Sequence, residues 1–328
     1  MNTLEKQPAR MRFAHLPTPV EELRNLSAEL GGPRVFVKRD DETGLALGGN
    51  KTRKLEFLVA DALARGARTI VTAGAAQSNH CRQTAAAAAK FGLGCVLVLN
   101  GAEPEALSAN LLLDKLFGVR ILWVANRDDR ESVQAKTCAE LEAAGAKPYF
   151  MPYGGSSPVG ALGYAFAVEE ALAQGVDADW FVFGTSSGGT HAGLALGAKL
   201  FGYRGRVLGI SIDESEAWLK ARVSALASDA SELLGGRIEI GPEEILANDS
   251  YCSAGYGVLT GAEVEAVKLF ARTEGLLLDP VYTGRAAAGL VDLIRKGRFR
   301  KDESVLFWNT GGQPALFAEK YQRFLAQA

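Results

Sequence analysis

The chain has 328 residues, 36 of them basic and 38 acidic, for a formal net charge of −2. No long run of one sign interrupts that balance, which excludes a broad nucleic-acid surface. No stretch reaches the roughly 18 unbroken apolar residues that a membrane span needs. A composition of 48% hydrophobic and 23% charged residues excludes disorder as the general state, and the length corresponds to about two domains at roughly 150 residues each.

Along the chain, apolar β-branched runs alternate with stretches of helical periodicity. The predicted strands are 35–38, 69–72, 95–99, 120–124, 147–151, 180–183, 207–212 and 304–308. Between them lie predicted helices such as 52–65, 77–91, 133–144, 159–174 and 261–273. Strand–helix–strand alternation argues for an α/β fold of mostly parallel sheet with helices on both faces and right-handed crossovers. The opening segment MNTLEKQPARMRF is polar and lacks an apolar signal core, so the cytoplasm is the expected compartment. Cys81, Cys95, Cys138 and Cys252 are scattered without a CxxC pair, and His15, His80 and His191 have no metal-ligand spacing, so neither a disulfide framework nor a metal site is expected.

Ligands of open parallel sheets bind at the carboxyl ends of strands, where loops enter helices. Four loops there are rich in glycine and polar residues: TGLALGGNKTRK, TAGAAQSNH, FGTSSGGTHAG and WNTGGQPA. The third follows predicted strand 180–183 and runs Gly184, Thr185, Ser186, Ser187, Gly188, Gly189, Thr190 before an apparent helix from His191. Glycines let the backbone approach a ligand closely, and successive N–H groups at a helix start attract an anion. Hydroxyl groups add donors, and a phosphate is the natural occupant; a glycine-rich turn without a ligand is the plainer alternative. The dinucleotide spacing GxGxxG is absent, although Asp213 keeps a nicotinamide enzyme open as a weaker reading. Gly44 and Gly49 have the spacing of an ATP-binding loop, but Asn50 intrudes before Lys51.

Lys51 opens a predicted helix. The positive end of the helix dipole disfavours an ammonium there, and a lowered lysine pKa is what carbonyl condensation requires. A solvated surface lysine is the ordinary alternative. A lysine together with a phosphate cradle suits pyridoxal phosphate, one holding the aldehyde and the other the phosphate.

The segments LPTPVEEL, VKRDDETGLALGGNKTRKLEF, TAGAAQSNHCRQTAAAAAKFG, GTSSGGTHAG, AGYGVLT, DPVYTGRAAAGL and NTGGQPALF resemble those of the fold-type II, tryptophan-synthase-like pyridoxal-phosphate enzymes. The likeness is to the branch containing D-cysteine desulfhydrase, 1-aminocyclopropane-1-carboxylate (ACC) deaminase and L-cysteate sulfo-lyase. It implies two open, mostly parallel twisted sheets with helices on both faces. A larger domain of residues 1–47 and 162–328 would carry a smaller inserted domain, 48–161, bearing the Schiff-base lysine. By that resemblance Lys51 would join the cofactor covalently. Lys54 and residues Gly184, Thr185, Ser186, Ser187, Gly188, Gly189 and Thr190 would hold its phosphate. Asn79 would bond its ring oxygen, and the hydroxyl of Thr310 would face its ring nitrogen. Ser78, Asn79 and His80 would form the substrate-carboxylate loop, with Tyr256 and Tyr282 on the substrate side of the ring. Ser78 as an ordinary helix cap and the tyrosines as core residues are the structural alternatives.

The activity implied is β-elimination on a small amino acid, with Lys51 as general base. A neutral partner at the ring nitrogen predicts weak racemisation and transamination. DPVYTG and TAGAAQSNH are nearest to D-cysteine desulfhydrases, and Thr283 stands where ACC deaminases carry Glu, which weakens the ring-opening reading. Asn309 replaces the His of an HTGG form, and GTSSGGTHAG replaces GSAGTHAG. L-Cysteate sulfo-lyase, ACC deaminase, a non-catalytic pyridoxal-phosphate binder and a nicotinamide dehydrogenase are the alternatives. Family resemblance implies a homodimer.

Overall fold

The computed structural model describes residues 6–236 and 238–326. Its ten described strands, numbered in chain order, form two sheets. The larger contains β1 (Val20–Glu22), β2 (Arg34–Arg39), β7 (Trp180–Thr185), β8 (Arg206–Ser211), β9 (Leu246–Asn248) and β10 (Ser304–Asn309), in the order β1-β2-β10-β7-β8-β9. The smaller contains β3 (Thr69–Ala75), β4 (Gly94–Asn100), β5 (Arg120–Val124) and β6 (Pro148–Phe150), in the order β5-β4-β3-β6. Every pair is parallel except β1 with β2. All eight predicted strands are present; β1 and β9, three residues each with half-buried side chains, were not predicted because neither has an apolar run.

Central strands read as continuous apolar runs because helices cover both of their faces. Alternate side chains feed two separate cores. Trp180, Val182, Val305 and Phe307 enter one with Val35 and Leu290, whereas Phe181, Phe183, Leu306 and Trp308 enter the other with Tyr164 and Leu194. Predicted helices appear as Lys51–Ala64, Asn79–Lys90, Asp129–Ala143, Pro158–Ala173 and Gly261–Glu274. Asp129–Ala143 starts earlier than expected, since its first turn is polar. Among the described residues no helix is long and apolar enough to cross a membrane.

Candidate active site

The loop before Lys51 turns through left-handed glycines, with φ of +66° at Gly48 and +121° at Gly49. A β-carbon on Gly48 would stand 2.0 Å from the Asp41 carbonyl oxygen, so only glycine fits. Thr43 Oγ1 donates to the Gly49 carbonyl at 2.8 Å and accepts from its N–H at 2.8 Å. Asn50 N–H donates to Thr310 O at 2.9 Å, tying this loop to the end of β10. Lys51 is the first residue of its helix, and the second, Thr52, donates its N–H to Gln83 Oε1 at 2.8 Å. Lys51 Nζ and Lys54 Nζ each donate to Gly154 O at 3.3 Å. Burial pushes the Lys51 amine down to about 8. Burial and the neighbouring Lys51 charge also push the Lys54 amine well below the usual lysine range. The expected direction is therefore present, and its largest cause is desolvation, which the sequence reading did not invoke.

Opposite these lysines, β7 runs into Gly184–Thr190 and a helix that begins at Gly189, two residues before the expected start. Gly188 takes a φ of +84° to make the turn. Gly189 N–H donates to Ser156 Oγ at 3.1 Å, and Ser156 Oγ shares a 2.8 Å hydrogen bond with Ser187 Oγ. Asn50 Nδ2 donates to Thr190 Oγ1 at 3.0 Å. A β-carbon on Gly189 would lie 3.0 Å from Lys54 Nζ, so this amine stands directly against the helix start. Thr185 Oγ1 and Ser186 Oγ are buried with no hydrogen-bond partner among the described residues. Orphaned hydroxyls are costly unless something else satisfies them. Beside a helix N-terminus and a lysine, these donors fit a phosphate group.

The remaining wall comes from three chain segments. Ser78 caps helix Asn79–Lys90 by accepting from Cys81 N–H at 3.2 Å, which is the ordinary capping role, while still lining the cavity with Asn79 and His80. His80 pairs through Nε2 with Thr72 Oγ1 at 2.8 Å. Burial and the two lysine charges hold it well below the usual histidine range, so it is neutral. Thr310 lines the cavity beyond β10, and Asn309 Oδ1 accepts the Gly311 N–H at 3.1 Å, which makes Asn309 a turn former. Tyr282 is aimed by Asp279, whose carboxylate accepts from the N–H groups of Val281, Tyr282 and Thr283 at 2.9, 3.0 and 2.7 Å. Tyr256 stands one hydroxyl behind the cavity wall, its OH 2.8 Å from that of Tyr282. Burial raises both phenols, so both stay protonated.

The sequence profile described as pyridoxal-phosphate dependent enzyme matches residues 11–311. The chain belongs to that family. It is 45% identical to D-cysteine desulfhydrases of Salmonella typhimurium (strain LT2) and Salmonella choleraesuis (strain SC-B67), over 94% of this chain and 95% of theirs. A crystal structure titled as an ACC deaminase homologue is 40% identical, with a TM-score of 0.90, covering 98% of this chain and 96% of that one. An L-serine ammonia-lyase from Rhizomucor miehei, 17% identical with a TM-score of 0.69 over 96% of this chain and 99% of its own, shares the fold. The protein is a fold-type II pyridoxal-phosphate enzyme, and pyridoxal phosphate is its cofactor.

Several residues of this pyridoxal-phosphate enzyme's cavity were not singled out from the sequence. Tyr153 and Gly154 line it, with Arg130 stacked 4.7 Å over the Tyr153 ring. The sequence signal available there was an aromatic followed by two glycines, Tyr153-Gly154-Gly155. Asn50 was treated only as an intruder in a nucleotide motif. Asp213, considered as a ribose-binding acid, instead pairs with Arg127 at 3.0 Å.

Proposed function

We propose that this enzyme catalyses β-elimination on a small β-substituted amino acid, with D-cysteine as the first substrate, giving pyruvate, ammonia and hydrogen sulfide with consumption of one water. The reading is carried by one juxtaposition: the Lys51 amine shares a cavity with the unpartnered hydroxyls of Thr185 and Ser186. The D-cysteine desulfhydrase activity of the Salmonella relatives supplies the substrate. When bound, pyridoxal phosphate supplies an electron sink next to Cα of an amino acid. Lys54, Gly184–Thr190 and the helix N-terminus hold its phosphate; Asn79 and Thr310 hold its ring.

Ser78 and the start of helix Asn79–Lys90 bind the substrate carboxylate. Lys51, with a pKa near 8, accepts a proton at Nζ near neutral pH and is the general base for the α-proton. Tyr282 donates a proton towards the departing β-substituent, and Tyr256, 2.8 Å behind it, replaces that proton. Thr310 offers the ring a neutral hydroxyl, which favours prompt loss of a β-substituent over long-lived charge on Cα. Thr283 is spent within its own turn, donating to Asp279 Oδ1 at 2.8 Å and accepting from Asp279 N–H at 2.7 Å, and offers no acid for ring opening. The test is 2-oxo acid release from D-cysteine, L-cysteate and ACC supplied separately, read as pyruvate from the first two and 2-oxobutanoate from ACC. D-Cysteine is expected to be turned over fastest, with Tyr282→Phe lowering kcat by roughly 10²–10⁴-fold; no pyruvate from D-cysteine would overturn the assignment.

The same proposal places the enzyme in a reducing compartment, the cytoplasm, since all four cysteines are unpaired. It treats 48–161 as the smaller inserted domain, supported by the origin of β3–β6 within that segment. It also assigns a homodimer.

A further inference from the structure

Asn79 is an amide, and an amide can present either a donor or an acceptor to a ligand. A buried neighbour decides which. Asn110 Nδ2 donates to the backbone carbonyl of Gln77 at 3.1 Å, and a carbonyl can only accept. The same nitrogen is 3.0 Å from the Asn79 side chain, so the Asn79 atom facing it must be the acceptor Oδ1. Asn79 Nδ2 is thereby turned the other way. It faces the Gly311–Gly312 turn, 2.6 Å from where a β-carbon on Gly312 would stand, on the cavity wall shared with Thr310.

Asn110 is itself held by two features. Its N–H donates to Gln77 Oε1 at 2.9 Å, while Gln77 Nε2 donates to Ser108 O at 3.1 Å. Ala109 before it adopts a φ of +52°, a left-handed conformation that residues with a β-carbon rarely take. Asn110 is fully buried, and its own Oδ1 has no partner among the described residues. A side chain present only to fill space need not bear that cost.

We infer that Asn110 is a positioning residue that fixes Asn79 as a hydrogen-bond donor towards an anionic oxygen in the cavity, the ring oxygen of pyridoxal phosphate. The inference rests on the cofactor placement proposed above. A donor at that oxygen stabilises its charged form. An aspartate at position 110 can only accept, so it would draw Asn79 Nδ2 towards itself and leave Oδ1 facing the oxygen.

The experiment is a two-by-two cycle of Asn110→Asp and Asn79→Ala in the holoenzyme, reading pyridoxal-phosphate affinity and the pH dependence of the bound cofactor's visible band. Asn110→Asp alone should weaken affinity about tenfold, the scale of one buried polar group left unmatched, and should move the band's pH transition upward. In the Asn79→Ala background it should change neither. Unchanged affinity and band in Asn110→Asp, or equal effects in both backgrounds, would overturn the inference. If Asn110→Asp does not fold, Asn110→Ser in the same cycle gives the test, with a smaller change of the same sign. Wild-type protein that binds no pyridoxal phosphate would instead defeat the underlying cofactor assignment.

Discussion

Lys51, the proposed Schiff-base lysine, is buried because its helix starts inside the protein. Its amine lies against another lysine and one carbonyl oxygen, with no carboxylate bonded to it among the described residues. Desolvation penalises the ammonium form, and the neutral amine is the form that condenses with an aldehyde. Deprotonation therefore occurs as pH rises through about 8 rather than through the ordinary lysine range near 10.4. Stripped of cofactor and mixed with pyridoxal phosphate, the protein should recover its visible absorbance at a rate that climbs with pH and levels off above about 8. A rate still climbing steeply beyond pH 9.5 would contradict the burial argument. The dipole reasoning from the sequence had the right sign because a helix start was legible there. It missed the burial because that depends on Gly154, about 100 residues away.

At the scale of elements, the lysine helix is anchored by a buried charge cluster. Arg53 Nε and Nη2 donate to the two Asp40 oxygens at 2.8 Å each. Asp40 also accepts from Thr18 Oγ1 at 2.9 Å, Tyr164 OH at 2.5 Å and Trp308 Nε1 at 2.8 Å. Burial opposes its ionisation, but the Arg53 guanidinium holds the carboxyl below its usual range. Helix Lys51–Ala64, helix Pro158–Ala173 and β10 thus converge on one carboxylate. Asp40→Asn should lower unfolding stability by about 3–5 kcal/mol, as expected when one member of a buried pair loses its charge; a urea titration giving less than about 1 kcal/mol would show the cluster to be dispensable. None of this was legible beforehand, since nothing in VKRDDETG or NKTRK marks Asp40 and Arg53 as buried partners. The strands were legible because a doubly covered parallel sheet writes continuous apolar runs. Their carboxyl ends were not: the glycines and alanines of Ala73-Gly74-Ala75 and Gly184 lack strand propensity, and pairing with β4 and β8 extends the strands through them.

For the molecule as a whole, the two sheets aim their carboxyl ends at one cavity. That convergence explains how a lysine at position 51, a loop at 184–190 and a threonine at 310 become neighbours. Family resemblance brought these positions together before any coordinates; periodicity alone could not. On the outside, Leu47 and Phe317 are 62% and 65% exposed and flank an apolar groove with Pro314 and Gly44. Exposed apolar surface of this kind commonly marks an interface, and it is the face on which the proposed homodimer should pair. Sedimentation should give a dimer for the wild type and a monomer for Leu47→Glu combined with Phe317→Glu; a wild-type monomer at micromolar concentration would contradict the assembly. The most direct measurement of the central assignment is borohydride reduction of the yellow holoenzyme followed by peptide mass mapping. The account predicts a phosphopyridoxyl group on Lys51 and on no other residue. A label on Lys54 or elsewhere, or no label at all, would contradict it.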